Sequence, residues 1–397
     1  MRTPDHADTP SLSDARLAAW EAPPMPPDSI RAPKHNDRAR IESERWRPVP
    51  ITELPLSSPP DWVWPGYVAR GYATLLVGLW KAGKSTLLGH VLRDAEHGGG
   101  LVPDPIDGPV LVVSEEANGH WMTRRDKLKL GESLRLITRP FKARPSAGEW
   151  GRFVEHVALV VKAEGYGMVV FDTLASLWPV VDENDAPGVQ AALMPLHAIT
   201  EARAGLVLVH HARKGGGDEA QATRGSGALP GWVDTIVELR RFAAEDAHDR
   251  RRVLRAYGRF EDTPPESVLE LRDDGYHVIG DKATATRADR DATIRVLLAG
   301  AAGLTGEDVH GRWPTEPKPG KRALEKSLND GAEAVPPRWG RAGKGVKGDP
   351  YRYSLGFDSR TTHSLGARIE SALPSGRFDG EPDWGLVVPS AKPQRTD

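Results

Sequence analysis

The chain has 397 residues, 39% hydrophobic and 27% charged, the make-up of an ordinary globular protein with room for two or three domains. It contains no cysteine, which excludes structural disulfides and thiolate zinc sites and suits a reducing compartment. A formal net charge of -2 carries no overall bias toward nucleic acid, so any such partner needs a local basic patch.

The opening MRTPDHADTPSLSDARLAAW has acids and prolines where a secretory signal has an apolar stretch. No later run approaches the roughly 20 apolar residues of a membrane span, and the expectation is a cytoplasmic protein without a membrane partner. Residues 1–48 are crowded with Pro, Asp, Arg and Lys and are expected to be a disordered arm, with at most a short helix near Ser13 to Trp20. From there apolar runs of strand length alternate with helical stretches: ATLLVG (73–78), a helix from Lys84, VLVVS (110–114), a helix over 119–130, RLIT (135–138), a helix over 147–163, MVVFD (168–172), a helix over 188–203 and LVLVH (206–210). Short apolar strands separated by helices predict an α/β fold, a mainly parallel sheet covered on both faces. After Gly231 the strands crowd together, at 235–239, 251–258, 267–273 and 276–280, with an Asp273-Asp274-Gly275 turn before the last. They predict an antiparallel extension of the same sheet.

A break is expected at DKATATRAD (281–289), then helical stretches at 290–301, 305–312 and 319–329 and a hairpin-like segment at 338–355. Three helices followed by a Gly-rich basic hairpin match the order of a winged helix-turn-helix. The expected domains are therefore a core over 49–282, a winged helix-like domain over 288–357 and a disordered tail over 358–397.

The segment Gly78-Leu79-Trp80-Lys81-Ala82-Gly83-Lys84-Ser85-Thr86 has the spacing G-x-x-x-x-G-K-[ST]. Its glycines let successive backbone N–H groups face the phosphates of a nucleotide, the lysine neutralises the β and γ charges, and the serine hydroxyl ligates magnesium. Context supports the motif, since ATLLV supplies a strand before the loop and STLLGHVLRDA a helix whose N-terminus faces the anion. Asp172, closing the apolar strand MVVFD, is the candidate acid for the magnesium water shell, unless it merely caps the next turn. Glu115 and Glu116 follow another strand, and either carboxylate can serve as the base that orients water. Leu206 to Gly227 ends a strand in His210-His211 and then passes through a Gly-rich stretch flanked by Lys214 and Arg224. A polar strand end can sense a γ-phosphate, and a cation after it can reach a phosphate of a neighbouring subunit.

As a set, GLWKAGKST with its extra Lys81, VLVVSEE followed by Trp121 and Arg124-Arg125, VVFDTLASL, HHARKGGG, ATRGSGALPGWVD and the late GRF and LEL strands resemble the RecA-like ATPases. The closer resemblance is to the RepA-like hexameric helicase group, also known as AAA domain ATPases. It spans residues 60–280 and implies a RecA-like core, ring or filament assembly with a hexamer as the expected homo-oligomer, and ATP hydrolysis with Mg2+ at subunit interfaces. Carried over, Gly78, Lys81, Ala82, Gly83, Lys84, Ser85 and Thr86 hold the nucleotide, Ser85 and Asp172 the metal, and Glu116 or Glu115 acts as the base. His211 becomes the phosphate sensor and Arg224 the finger acting in trans, while Lys214 stays a candidate catalytic cation from its place beside the Gly-rich stretch. Single-stranded DNA would be met by ring loops such as 213–223.

Between Lys318 and Arg352 nine basic residues face four acids, a local charge of +5. This is the patch that the global charge conceals. A helix carrying Lys321, Arg322 and Lys326 would enter a major groove, and a wing carrying Arg341, Lys344 and Lys347 would lie along phosphates of duplex DNA. The same patch would also suit a solvated face or a protein-docking module. Two readings of the whole remain: an ATP-driven motor on DNA of replication or helicase type, or a DNA-binding regulator in which hydrolysis governs assembly only.

Overall fold

A computed structural model of the chain describes residues 47–54, 58–211, 227–246, 248–299 and 301–355. The chain divides into two units, residues 1–59 and 60–397. Among the described residues of the first, a 3-10 turn covers Ile51–Glu53. All but the last two residues of the expected N-terminal arm, and the whole tail from 358, lie outside the described residues.

In the second unit, β1 (Trp62–Trp64) and β2 (Val68–Ala69) form a small hairpin. The main sheet is built from β3 (Ala73–Gly78), β4 (Val110–Ser114), β5 (Leu134–Thr138), β6 (Met168–Asp172), β7 (Gly205–His211), β8 (Thr235–Arg241), β9 (Arg251–Gly258), β10 (Glu266–Leu271) and β11 (Tyr276–Val278). Its order among the described residues is β11-β10-β9-β8-β3-β7-β6-β4-β5. From β8 to β5 every neighbour is parallel, and from β8 to β11 every neighbour is antiparallel. The mainly parallel sheet with an antiparallel extension is thus present.

The helices between strands explain why the strands are apolar throughout. Leu76, Val112, Val170 and Val209 face α1 (Lys84–His97) and α2 (Asn118–Leu128). Leu75, Val77, Val113 and Phe171 face the other way, onto Trp150, Val154 and Val161 of α3 (Ala147–Glu164). Side chains alternate across a strand, so covering both faces requires apolar residues at every position. A capping box fixes the start of α3: Ser146 Oγ accepts from Glu149 N–H, and the Glu149 side chain accepts from Ser146 N–H.

The single helix expected over 188–203 is instead three short pieces. After α4 (Leu174–Leu177) come α5 (Ala186–Leu193), a 3-10 turn (Met194–Leu196) and α6 (His197–Glu201). Pro195 supplies no N–H for an α-helical bond, which explains the interruption. After α7 (Ala228–Trp232) and the late strands, the break expected at 281–289 is absent, because α8 (Lys282–Ala299) runs straight through it. Asp281 caps that helix by accepting the Thr284 N–H at 2.7 Å, and Ala285 is buried against Val253 of β9 and Val268 of β10.

The second half of α8, α9 (Gly306–Gly311), α10 (Lys321–Glu333), β12 (Gly340–Ala342) and β13 (Arg352–Ser354) enclose a separate core. Its members include Ile294, Leu298, Val309, Leu328, Trp339 and Tyr353. No helix among the described residues is long and apolar enough to cross a membrane.

Candidate functional site

The sheet register brings the chemistry-bearing residues to one edge. Gly78 ends β3 opposite His211 of β7, and Ser114 ends β4 opposite Asp172 of β6. In open α/β sheets ligands bind at the carboxyl ends of strands, where diverging loops leave a crevice.

The loop after β3 enters that crevice under several constraints. A Cβ on Gly78 would stand 2.8 Å from the Leu239 carbonyl of β8, so only glycine lets the two strands run this close. Gly83 has φ +104 and turns the chain into α1. Arg252 Nε donates to Ala82 O at 2.8 Å and Arg241 Nη2 to Lys81 O at 3.4 Å, tying loop carbonyls to β9 and β8. The N–H groups of the first turn of α1 have no partner within the helix and carry the positive end of its dipole. Lys84 is buried, with its Nζ 2.8 Å from Gly78 O, 3.3 Å from Leu79 O and 3.3 Å from His211 Nδ1. Burial lowers its pKa, and the negative charge of Asp172 opposes that shift.

Asp172 is 4% exposed. Burial, and then the charge of Glu116, push its carboxyl from 3.8 up to about 6, against the opposing charges of Arg124, then Lys84. At neutral pH it is a buried anion with no hydrogen bond from a described residue stabilising it, an environment that calls for a cation. Ser85 shares its cavity of about 410 Å³, as do Lys81, Gly83, Lys84 and Thr86. The described residues contain no cluster of three His, Asp or Glu side chains around a metal position. One carboxylate and one hydroxyl suit Mg2+, which takes few protein ligands and completes its shell with water and phosphate oxygens. The residues therefore fit a magnesium nucleotide.

The two glutamates line the same cavity in different states. Glu115 Oε1 accepts from Thr173 Oγ1 at 2.9 Å. Glu116 is clamped by Arg124, which donates from Nη1 to Oε2 and from Nη2 to Oε1. That pairing holds the Glu116 carboxyl below its ordinary pKa. His210, beside His211, is buried and hydrogen-bonded through Nε2 to Glu183 and through Nδ1 to the His211 carbonyl.

Residues 49–217 match the AAA domain family. None of the curated proteins matches the chain. That match supports ATPase activity and nucleotide binding in general, and the cavity at the strand ends lies within the matched residues.

Among the matched residues, Lys81, Gly83, Lys84, Ser85, Thr86, Glu115, Glu116, Asp172 and His211 surround one cavity, while Gly78 and Ala82 form its support. Lys214, Arg224 and the rest of loop 213–223 lie outside the described residues. Sequence reasoning gave no role to Arg124, Thr173 or Arg252. Arg124 belongs with Glu116 only because two turns of α2 carry it back, and Arg252 meets a carbonyl 170 positions away, so no local pattern marks either one.

Around the separate C-terminal core, Lys321, Arg322 and Lys326 are exposed on α10, and Lys344 and Lys347 are exposed between β12 and β13. Arg341 stands apart from them. It donates to Asn329 Oδ1 (3.0 Å) and Glu333 Oε1 (2.9 Å) and stacks 4.5 Å from the Tyr351 ring centroid, so it is engaged within the fold.

Proposed function

We propose that this chain is an oligomeric ATPase acting on DNA, in which the AAA domain hydrolyses ATP and the segment from residue 288 onward engages duplex DNA as a winged helix. The observation that carries the hydrolytic part is the convergence of Lys84, Ser85, buried Asp172 and two glutamates on one cavity. Backbone N–H groups at the start of α1 and the Lys84 ammonium hold the β- and γ-phosphates. Magnesium, when bound, offsets phosphate charge beside Ser85 and Asp172. A glutamate at the end of β4 orients the attacking water and accepts its proton. His211, beside Lys84 at the end of β7, senses the γ-phosphate, and Arg224 completes the site of a neighbouring subunit in a hexameric ring. Loops such as 213–223 line the ring and contact single-stranded DNA. The exposed cations of α10 and of the β12–β13 turn favour contact with duplex phosphates.

A second reading, a DNA-binding regulator with slow hydrolysis, is favoured by one feature: both oxygens of Glu116 are held by Arg124. Mass measurement with and without ATP, paired with hydrolysis rates on single-stranded and duplex DNA, separates the two. A motor assembles with ATP and hydrolyses faster on DNA, while a regulator assembles and binds duplex DNA but its slow hydrolysis does not respond to single-stranded DNA. Lys84→Ala should lower hydrolysis at least about a hundredfold. An unchanged rate would remove the phosphate site from the account.

A further inference from the structure

A second cavity, of about 660 Å³, is lined by α1, the end of α2, Arg250 before β9 and residues 271–273 at the end of β10. It shares Ser85 and Thr86 with the nucleotide cavity. Six cations line it, Arg93, Arg124, Lys127, Lys129, Arg250 and Arg272, with Asp273 as the one acid in its wall. Some of this charge is already answered, since Arg93 pairs with Asp94, Arg250 with Asp273 and Arg272 with Glu270. Lys127 and Lys129 make no ion pair among the described residues. His90, 7% exposed in the same wall, has a buried Nδ1 without a hydrogen-bond partner. Burial first, then the charge of Arg93, lower its pKa, Asp94 opposes the shift and Lys127 adds to it. A nucleoside is uncharged and accounts for none of these cations. A phosphodiester chain accounts for them, and among the described residues the wall has no Phe, Tyr or Trp on which a base would stack, so contact is with the backbone.

Arg124 stands at the junction of the two cavities. It lines the basic groove, yet both of its terminal nitrogens hold Glu116, which lines the nucleotide cavity. Its guanidinium lies 4.7 Å from the Trp121 ring centroid, a face on which it can turn while keeping its stacking contact. A guanidinium fork matches a carboxylate and a phosphate equally well. Glu116 and a phosphate in the groove therefore compete for one side chain.

We propose that Arg124 is an anion-responsive latch: with no phosphate in the groove it clamps Glu116, and the backbone of a single-stranded nucleic acid lying in the groove draws it off and releases that carboxylate. Once released, Glu116 accepts the proton of the attacking water as the water oxygen bonds to the γ-phosphorus and the bond to the β–γ bridging oxygen breaks. The inference rests on the reading of the AAA domain as a hydrolysing ATPase with Glu116 as its base.

Its test has two arms. Without nucleotide, fluorescence anisotropy of a labelled oligothymidylate of about 30 nucleotides measures groove occupancy; roughly four to eight nucleotides would suffice for a single site. Lys127→Glu/Lys129→Glu should weaken binding at least tenfold, and an unchanged affinity overturns the groove. In the second arm, ATP hydrolysis is measured with and without the oligonucleotide. Wild type should be stimulated several-fold, and Arg124→Ala should hydrolyse at the stimulated rate without DNA and no longer respond. Arg124→Lys, which keeps the charge and loses the fork, should move in the same direction by less. If both Arg124 variants are slow with and without DNA, Arg124 supports catalysis and the latch is refuted. If Lys127→Glu/Lys129→Glu raises KM for ATP while the oligonucleotide neither binds nor stimulates wild type, the groove belongs to the nucleotide and the proposal falls. Wild type that hydrolyses no ATP under any condition sinks the ATPase reading, and the anisotropy arm still reports on the groove.

Discussion

Replacing Asp172 by asparagine should stabilise the nucleotide-free protein while destroying its activity. The wild-type carboxyl is buried and titrates near 6 when folded, against 3.8 for the ordinary group. Because the folded pKa is the higher one, the unfolded chain loses its proton first as pH rises. The folded state is therefore progressively disfavoured between about pH 4 and 6, and the full penalty persists above that window. A difference of roughly two pKa units, at about 1.4 kcal/mol each, places that penalty near 3 kcal/mol. Asp172→Asn keeps the shape and removes the charge. Urea unfolding followed by tryptophan fluorescence, without magnesium or nucleotide, should show the variant about 3 kcal/mol more stable than wild type at pH 8 and indistinguishable near pH 4. Hydrolysis should fall at least about a hundredfold, the usual exchange of stability for function at a strained site. Equal or lower stability of the variant at pH 8 would refute the reasoning, because it would mean that Lys84 already satisfies the carboxylate in the folded state.

Arg224→Ala should abolish hydrolysis alone and recover it when mixed with Lys84→Ala subunits, since each defective partner then supplies what the other lacks; a confirmed mixed ring that stays inactive counts against a finger in trans. Reversing Lys321, Arg322 and Lys326 to glutamate should eliminate retention on duplex DNA with hydrolysis largely intact, and unchanged retention in a gel-shift assay would take α10 out of DNA contact. Deleting α8 and all that follows is a poorer test, because α8 covers Val253 and Val268 through Ala285 and its loss would expose them. Gly331→Ala places a methyl 2.0 Å from the Trp339 ring, and the overlap should cost about 2 kcal/mol in thermal unfolding of the C-terminal core despite the better helix propensity of alanine. No measurable loss would mean that Trp339 can move.

The parallel strands were legible because burial on both faces forces an uninterrupted apolar run of fixed length, and ATLLVG, VLVVS and MVVFD are such runs. The phosphate loop was legible because its chemistry is local: glycines, a lysine and a serine at fixed spacing perform one task within nine residues. Helix interruptions were harder to see. Pro195 was visible but its effect at a 3-10 turn was not, and the Asp281 cap was hidden in a segment whose polarity resembled a linker.

Sequence by itself determined the fold class, the nucleotide loop and the set of strand ends from which the acids and histidines project, because periodicity and motif spacing are written along the chain. Tertiary structure alone decided how those groups differ. It separated Glu115, held by Thr173, from Glu116, clamped by Arg124, and it separated buried His210 on Glu183 from His211 beside Lys84. It also turned Arg341 inward onto Asn329 and Glu333 and left Lys321, Arg322 and Lys326 facing solvent. The physical reason is common to these cases: a side chain's charge, exposure and partner are set by neighbours that the fold brings from distant positions, and identical residues acquire different chemistry when their surroundings differ.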